Sequence, residues 1–323
     1  MVATTQGLVT VFGGSGFVGT QAVRALAKRG WRVRVAVRQP NLAVELKPAG
    51  DPGQIQLVRC DVTDAAQVAE VCRGAHAVVN LIGILFESGK RTFQAMHVDA
   101  ARTIAEQARA AGATRFVQVS AIGADANGKS EYARSKAGGE AAVRAVYPDA
   151  MILRPSIVFG PGDGFLNRFA AMATFAPALP LVGFGKTRFQ PVYVGDVAEA
   201  IARGVTDEAP AGRTFELGGP AVLTFEEVLK LVLRETGRAR LLAPLPFPVA
   251  RMIGSAAQFS AILGIPPVLT RDQVLSLETD NVVADDAATL ATLGIQPTGM
   301  EAVVPSYLWR YRKGGQFAEK ATF

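Results

Sequence analysis

The chain has 323 residues, 49% hydrophobic, 19% charged and 7% aromatic, a length that fits one large domain or two closely joined ones and a composition that rules out disorder as the dominant state. Its 34 Lys and Arg outnumber its 28 Asp and Glu, and the excess is spread without a dense basic run, which argues against a dedicated nucleic-acid binder. Low charge and a mean hydropathy of +0.22 leave room for an apolar surface that meets a partner or a membrane.

From the N-terminus, MVATTQG runs straight into a strand-like LVTVFGG, without the basic, apolar and cleavage regions of a signal peptide. Short β-branched runs at 8–12, 32–37, 55–59, 77–81, 115–119 and 151–154 alternate with Ala-rich segments of helical period at 17–29, 65–73, 93–111 and 131–146. That alternation predicts an α/β fold, a doubly wound parallel sheet wrapped by helices, over residues 1–155. Beyond 155 the connections become rich in Pro and Gly, with a strand at 190–194, a helix at 195–205 and a strand at 213–217. A smaller C-terminal α/β domain is expected over 156–323, with later strands such as 190–194 free to return to the first sheet. Thr224 and Glu227 spell a capping box at the head of a helix that runs to Thr236. No apolar stretch is long enough, without charge or Pro, to span a bilayer. Only Cys60, Cys72 and two histidines are present, with no CxxC, so no metal site of the usual Cys/His kind is expected and a reducing, cytoplasmic compartment fits.

Gly13, Gly14, Ser15, Gly16, Phe17, Val18 and Gly19 link the first strand to the first helix. Glycines at 13, 16 and 19 allow a tight turn and close backbone approach, while the helix aims its free N–H groups and positive dipole end at a pyrophosphate. Ser15 adds a hydroxyl. A turn that merely packs helix on strand is the alternative, and the strand-before, helix-after context favours a dinucleotide. At the end of the second strand, where an acid usually accepts a hydrogen bond from the ribose 2′-hydroxyl, stands Arg38. A guanidinium cannot accept that bond, but it matches a 2′-phosphate in charge and forked geometry, so NADPH (NADP) is the expected cofactor. A solvated surface charge, like Arg32 and Arg34, is the plainer reading. Asp61, followed by Val62, either meets the adenine edge or caps a helix together with Asp64.

Tyr132 and Lys136 stand four apart in the helical segment SEYARSKAGGEAAVRAV, which puts both on one helix face. The ammonium is expected to lower the phenol pKa from its ordinary value of about 10. Tyr132 would then donate a proton to a carbonyl under reduction, with Lys136 also placed to hold the nicotinamide ribose. A helix-surface pair is the alternative.

Taken together, GGSGFVG, NLIG, VSAIG, YARSK and RPSIVFGPGD resemble the extended short-chain dehydrogenase/reductase superfamily over nearly the whole chain. QPVYVGDVAEAI, ELGGP before a capped helix and the low-charge C-terminal stretch look most like the NADPH-binding accessory subunit family of respiratory complex I (NADH:ubiquinone oxidoreductase) and its bacterial relatives. The resemblance implies cofactor contacts from Leu81, Ile82 and Gly83, from Ser120, and from the backbone at Pro155 to Val158, Ile157 included, with Pro155 equally readable as a plain turn. It also implies a structural nucleotide, complex I subunits as partners, and a C-terminal domain near the membrane and quinone site, peripheral to the cytoplasmic face of a bacterial inner membrane.

In catalytic members a Ser or Thr beside the Tyr polarises the carbonyl. Ser120 is the one hydroxyl in VSAIG and Ile122 falls where the working hydroxyl is expected, so the set Tyr132, Lys136 and Ser120 reads as either functional or vestigial. Ser130 either substitutes from the loop or caps the next helix. His97 falls where such enzymes often carry Asn, and it is assigned no role. Further on, residues 241–269 hold one charge, Arg251, with Val249, Met252, Ile253, Ala256, Phe259, Ile262 and Leu263 at near-helical spacing. They either close the small domain's core or form an apolar patch for a membrane surface or partner subunit. Tyr307, Trp309 and Tyr311 among Arg310, Arg312 and Lys313 suit ordinary packing or a docking tail. Gly183, Gly185 and Arg188 are ligand contacts or plain turn and surface residues. Two functions follow: a non-catalytic NADP(H)-binding accessory subunit, or an NADPH-dependent reductase or epimerase acting on a carbonyl of a sugar-nucleotide, isoprenoid or quinone-related substrate.

Overall fold

The computed structural model describes residues 6–206, 211–257 and 269–317. In chain order the main elements begin with β1 (Gln6–Phe12), α1 (Phe17–Lys28), β2 (Trp31–Val37), β3 (Ile55–Arg59), α2 (Ala65–Cys72), β4 (Ala77–Asn80), α3 (Ala100–Ala110), β5 (Arg115–Val119), α4 (Glu131–Val146) and β6 (Met151–Pro155). They continue with β7 (Val158–Phe159), α5 (Leu166–Phe175), β8 (Ala178–Val182), β9 (Arg188–Phe189), β10 (Val192–Tyr193), α6 (Val194–Gly204), β11 (Thr214–Leu217), β12 (Leu223–Thr224), α7 (Phe225–Thr236), β13 (Leu241–Leu245), α8 (Phe247–Ala257) and α9 (Arg271–Ser276). The single helix expected over 93–111 is instead a π-helical segment, Gln94–Asp99, that runs into α3.

The chain divides into two compact units. The first holds the chain up to Pro155 together with Val194–Leu217 and Ala284–Gln296; the second holds Ser156–Tyr193, Gly218–Val283 and the chain from Pro297. One continuous second domain over 156–323 is therefore corrected. Strand pairing gives the reason: β11 runs parallel to β6, with Thr214 opposite Ile152 and Leu217 opposite Pro155, and so covers an edge that would otherwise stay open. The strand at 190–194, which was free to return to the sheet, stays in the second unit as β10 beside β7.

The sheet of the first unit has seven parallel strands in the order β11-β6-β5-β4-β1-β2-β3, a Rossmann-like arrangement. Its central strands read as continuous apolar runs because both faces are covered: Val9, Val11 and Phe12 of β1 and Ala77, Val78 and Val79 of β4 are all buried. On one face Val68 and Val71 of α2 and Ala101, Ile104 and Ala108 of α3 pack with Phe116 and Ile152. Strand order reverses between β1 and β4, and in such sheets the carboxyl ends of the strands at the reversal open the ligand crevice. Farther along, Arg154 of β6 donates two hydrogen bonds to buried Glu140 of α4, at 2.9 and 2.7 Å, and approaches Glu216 of β11 at 3.6 Å.

Among the described residues the second unit contains three two-stranded ladders, β7 with β10, β9 with β12 and β8 with β13. The capping box at Thr224 is formed: Thr224 Oγ1 accepts from Glu227 N at 3.2 Å, and Glu227 Oε2 accepts from Thr224 N at 2.7 Å. On α8, Ala250 and Gly254 are buried, whereas Val249, Met252, Ile253 and Ala256 face outward. The segment therefore helps close the unit's core through Ala250, with Leu242, Leu245 and Phe247 packed beside it, and also keeps an apolar outward face; Phe259, Ile262 and Leu263 lie outside the described residues. The C-terminal aromatics are packed and bonded. Buried Tyr307 donates to Asp163 Oδ2 at 2.7 Å, Tyr311 donates to Asn167 Oδ1 at 3.1 Å, and Arg312 pairs with Glu235 at 3.5 Å. Arg188 pairs with Asp280 at 2.8 Å, and Gly183 and Gly185 both hold positive φ around a short turn. Among the described residues no helix is long and apolar enough to cross a membrane.

Candidate functional site

The glycine turn sits at the carboxyl end of β1, beside that of β4. Gly13 holds φ +76°, a conformation glycine adopts without strain, and a Cβ there would lie 3.1 Å from the carbonyl of Leu81. Gly19 has no room at all: its Cβ would fall 2.3 Å from Gly13 O, so glycine alone lets α1 seat on the turn. Gly16 is the N-cap of α1, with no side-chain cap and no acid in the helix's first turn. The first-turn N–H groups therefore lack both an intrahelical acceptor and a competing carboxylate. A turn of this shape, opening onto the reversal point, fits a pyrophosphate. Ser15 and Gly16 are exposed at its mouth, and Phe17 and Val18 are half-buried.

Around this turn the sheet brings the other expected nucleotide contacts to one edge. Arg38 follows β2 and is exposed. Asp61 follows β3 and accepts from Thr63 N at 3.0 Å and Thr63 Oγ1 at 2.8 Å; these bonds, and after them Arg38, hold its carboxyl below the usual range. Asp61 does not cap α2. That role belongs to Asp64, which accepts from Ala66 N and Gln67 N at 3.0 and 3.2 Å. After β4, Asn80 Oδ1 accepts from Ile82 N at 3.0 Å and so turns Leu81, Ile82 and Gly83 across the sheet edge. Val62 and Ile82 are half-buried. Pro155 ends β6, where its carbonyl accepts from Ile122 N at 3.0 Å. Ile157 belongs to the second unit and packs with its core.

Ser130 caps α4, accepting from Ala133 N at 3.1 Å, which leaves the helix-cap reading of this serine. Lys136, 6% exposed, donates from Nζ to Val119 O at 3.0 Å; burial holds it down at about 8, partly opposed by Glu140. Tyr132 does not follow the expectation that Lys136 lowers its pKa. It packs edge-on to Phe93 and His97, at 6.0 and 5.5 Å between ring centres, and burial pushes its phenol up to about 12. The shared helix face is real, but desolvation outweighs the charge. Ser120, 4% exposed, is the orphan: its Oγ is buried with no hydrogen-bond partner among the described residues. Ile122, 8% exposed, presents no hydroxyl at the neighbouring turn.

The residue the sequence left without a role is the most firmly held. His97 lies in the π-helical segment and is 2% exposed. Its Nε2 accepts from Ile84 N at 3.0 Å, and its Nδ1 pairs with Ser135 Oγ at 2.8 Å. Because Ser135 Oγ donates to Tyr132 O at 2.8 Å, the Nδ1 proton belongs to the histidine. Burial, with Lys136 nearby, holds the ring down at about 3. α4 comes close enough for these bonds because Gly139 has no side chain; a Cβ there would lie 2.2 Å from His97 O. π-helical segments recur at functional sites, but only long-range packing shows this one.

The chain matches the NAD dependent epimerase/dehydratase family over residues 9–218. It is 35% identical over 325 residues to NADH dehydrogenase [ubiquinone] 1 alpha subcomplex subunit 9 of Arabidopsis thaliana, covering 97% of this chain and 80% of that protein. The protein of the same name from Mus musculus is 36% identical over 307 residues, covering 94% and 80%. A ceramide reductase of Caulobacter vibrioides is 35% identical over 198 residues, 61% of each chain. Among solved structures, the NADPH-dependent quinone oxidoreductase of Escherichia coli, complexed with NADPH, superposes with a TM-score of 0.71 at 18% identity, covering 92% of this chain and 98% of that one.

Proposed function

The chain belongs to the NAD-dependent epimerase/dehydratase family, within the group that includes the complex I alpha subcomplex subunit 9, and on that premise we propose that it is a nucleotide-holding, non-catalytic accessory subunit of respiratory complex I. The observation that carries the reading is the match along 94–97% of the chain to subunits of that name. In a bacterium it would sit peripherally on the cytoplasmic face of the inner membrane and stabilise the region near the quinone site. Exposed Val249, Met252 and Ile253 on α8 supply apolar surface suited to such docking.

NADP(H) is the nucleotide this reading favours. The turn at 13–19 and the start of α1 would hold the pyrophosphate, Arg38 the 2′-phosphate, and Lys136 the nicotinamide ribose. A bound nicotinamide supplies a hydride donor or acceptor, and here its role is stability. A ligand that binds only the folded state adds about 2.7 kcal/mol at a hundred times its Kd. An Arg38→Glu protein is expected to lose its nucleotide and to lower the amount of assembled complex I in the host; loss of nucleotide with normal assembly removes the linkage.

A carbonyl reductase is the second reading, favoured by Ser120 Oγ, a buried hydroxyl awaiting a partner just past β5, the strand that leads into the helix of Tyr132 and Lys136. Tyr132 would donate the proton, with Ser120 orienting the carbonyl. Full function and nucleotide retention in a Tyr132→Phe protein defeats it.

A further inference from the structure

Arg38 is not the only cation at the nucleotide edge without an acid to pair with. The segment after β4 forms a tight turn in which Ser88 and Arg91 exchange backbone hydrogen bonds at 3.1 and 3.0 Å, with Gly89 at φ +55°. Just beyond it, Glu87 Oε1 accepts from Phe93 N at 2.6 Å, so the turn is pinned at both ends and its one carboxylate is committed to backbone. Val62, the neighbour of Asp61, packs with Ile82 against Ile84 and Phe93, which bracket this turn and bring it to the sheet edge where Asp61 and Arg38 stand. We infer that Arg91 is a second guanidinium for the ribose 2′-phosphate, closing on it opposite Arg38.

The local charge balance supports this assignment. Among the described residues no salt bridge joins Arg38 or Arg91 to an acid, and Asp61, the carboxylate whose field reaches Arg38, is engaged by Thr63. Arg91 is held below the ordinary guanidinium value by partial desolvation and then by Arg38 itself, so the two cations feel each other. A dianionic phosphate between them would relieve that repulsion and accept bonds from both forks. Arg91 lies far from Arg38 in the chain, in a stretch without a motif, so no local pattern marks it.

The inference rests on the NADP(H) reading above, and the test separates the two. Dissociation constants for NADPH and NADH are measured on the purified full chain, Arg91→Ala and Arg91→Lys, by nucleotide fluorescence, with 2′,5′-ADP as a competitor that lacks the nicotinamide. The expected result is a wild-type preference for NADPH that falls about tenfold in Arg91→Ala, with NADH affinity unchanged, a parallel loss for 2′,5′-ADP and partial recovery in Arg91→Lys. A wild-type preference that survives Arg91→Ala overturns the role of Arg91 and leaves Arg38 to act alone. An equal loss for NADPH and NADH also overturns it, since the turn would then serve the dinucleotide without reading the phosphate. A wild type that binds NADH as tightly as NADPH defeats the NADP(H) reading itself.

Discussion

Acid should loosen this protein through one residue. His97 accepts a hydrogen bond at Nε2 from Ile84 N and donates at Nδ1 to Ser135, so a second ring proton would face an N–H donor. The folded value is about 3 against an ordinary 6.5. The unfolded chain therefore binds more protons between those limits, and stability rises with pH through the window and is lost on acidification. Integrating the linkage from pH 7 to pH 5 gives about 2 kcal/mol from this one group. The assay is urea unfolding of wild type and His97→Asn at both pH values with nucleotide held constant. Asparagine still offers an acceptor and a donor but does not titrate, so the comparison is of the pH slope rather than of absolute stability. Wild type should lose about 2 kcal/mol more than the variant on going to pH 5; equal losses would refute the argument that a neutral imidazole is built into the fold.

Other consequences follow from the same side of the molecule. Lys136 is folded at about 8 against an ordinary 10.5; the unfolded chain again holds more protons in between, so from pH 8 to pH 9.5 wild type should gain about 1.5 kcal/mol relative to Lys136→Met. Parallel unfolding curves for the two proteins over that range contradict it. Glu140→Ala removes both short hydrogen bonds to Arg154, leaves it with Glu216 alone at 3.6 Å, and should cost about 3 kcal/mol, because a half-buried charge loses its hydrogen-bonded partner. An unchanged urea midpoint would show the network to be dispensable.

The parts of the fold visible in the sequence are those set locally. Alternating β-branched and Ala-rich runs marked the six strands and four helical stretches of the first 155 residues, and the Thr224–Glu227 box marked the head of α7. The glycine turn was legible because two of its positions admit nothing else: Gly13 needs its φ and Gly19 its missing side chain. What stayed hidden depends on residues far apart in the chain. β11 returns to pair with β6 across some sixty residues, which no periodicity encodes. His97 gains its meaning from Ile84 and Ser135, and the π-helical segment from a glycine on another helix. Tyr132 shows the limit of spacing arguments. Four residues place a lysine on the same face, but Phe93 and His97 decide how much water reaches the phenol, and that settles the direction of its shift.

The central claim is that the protein is a subunit holding a nucleotide it does not turn over. The direct measurement is the native mass of the protein released from its own membranes by mild detergent, with the co-migrating subunits identified and the bound nucleotide quantified in the same fraction. The account predicts stoichiometric migration with complex I and one NADP(H) per chain that survives NADH oxidation unchanged. A small free species that exchanges or oxidises its nucleotide would contradict it.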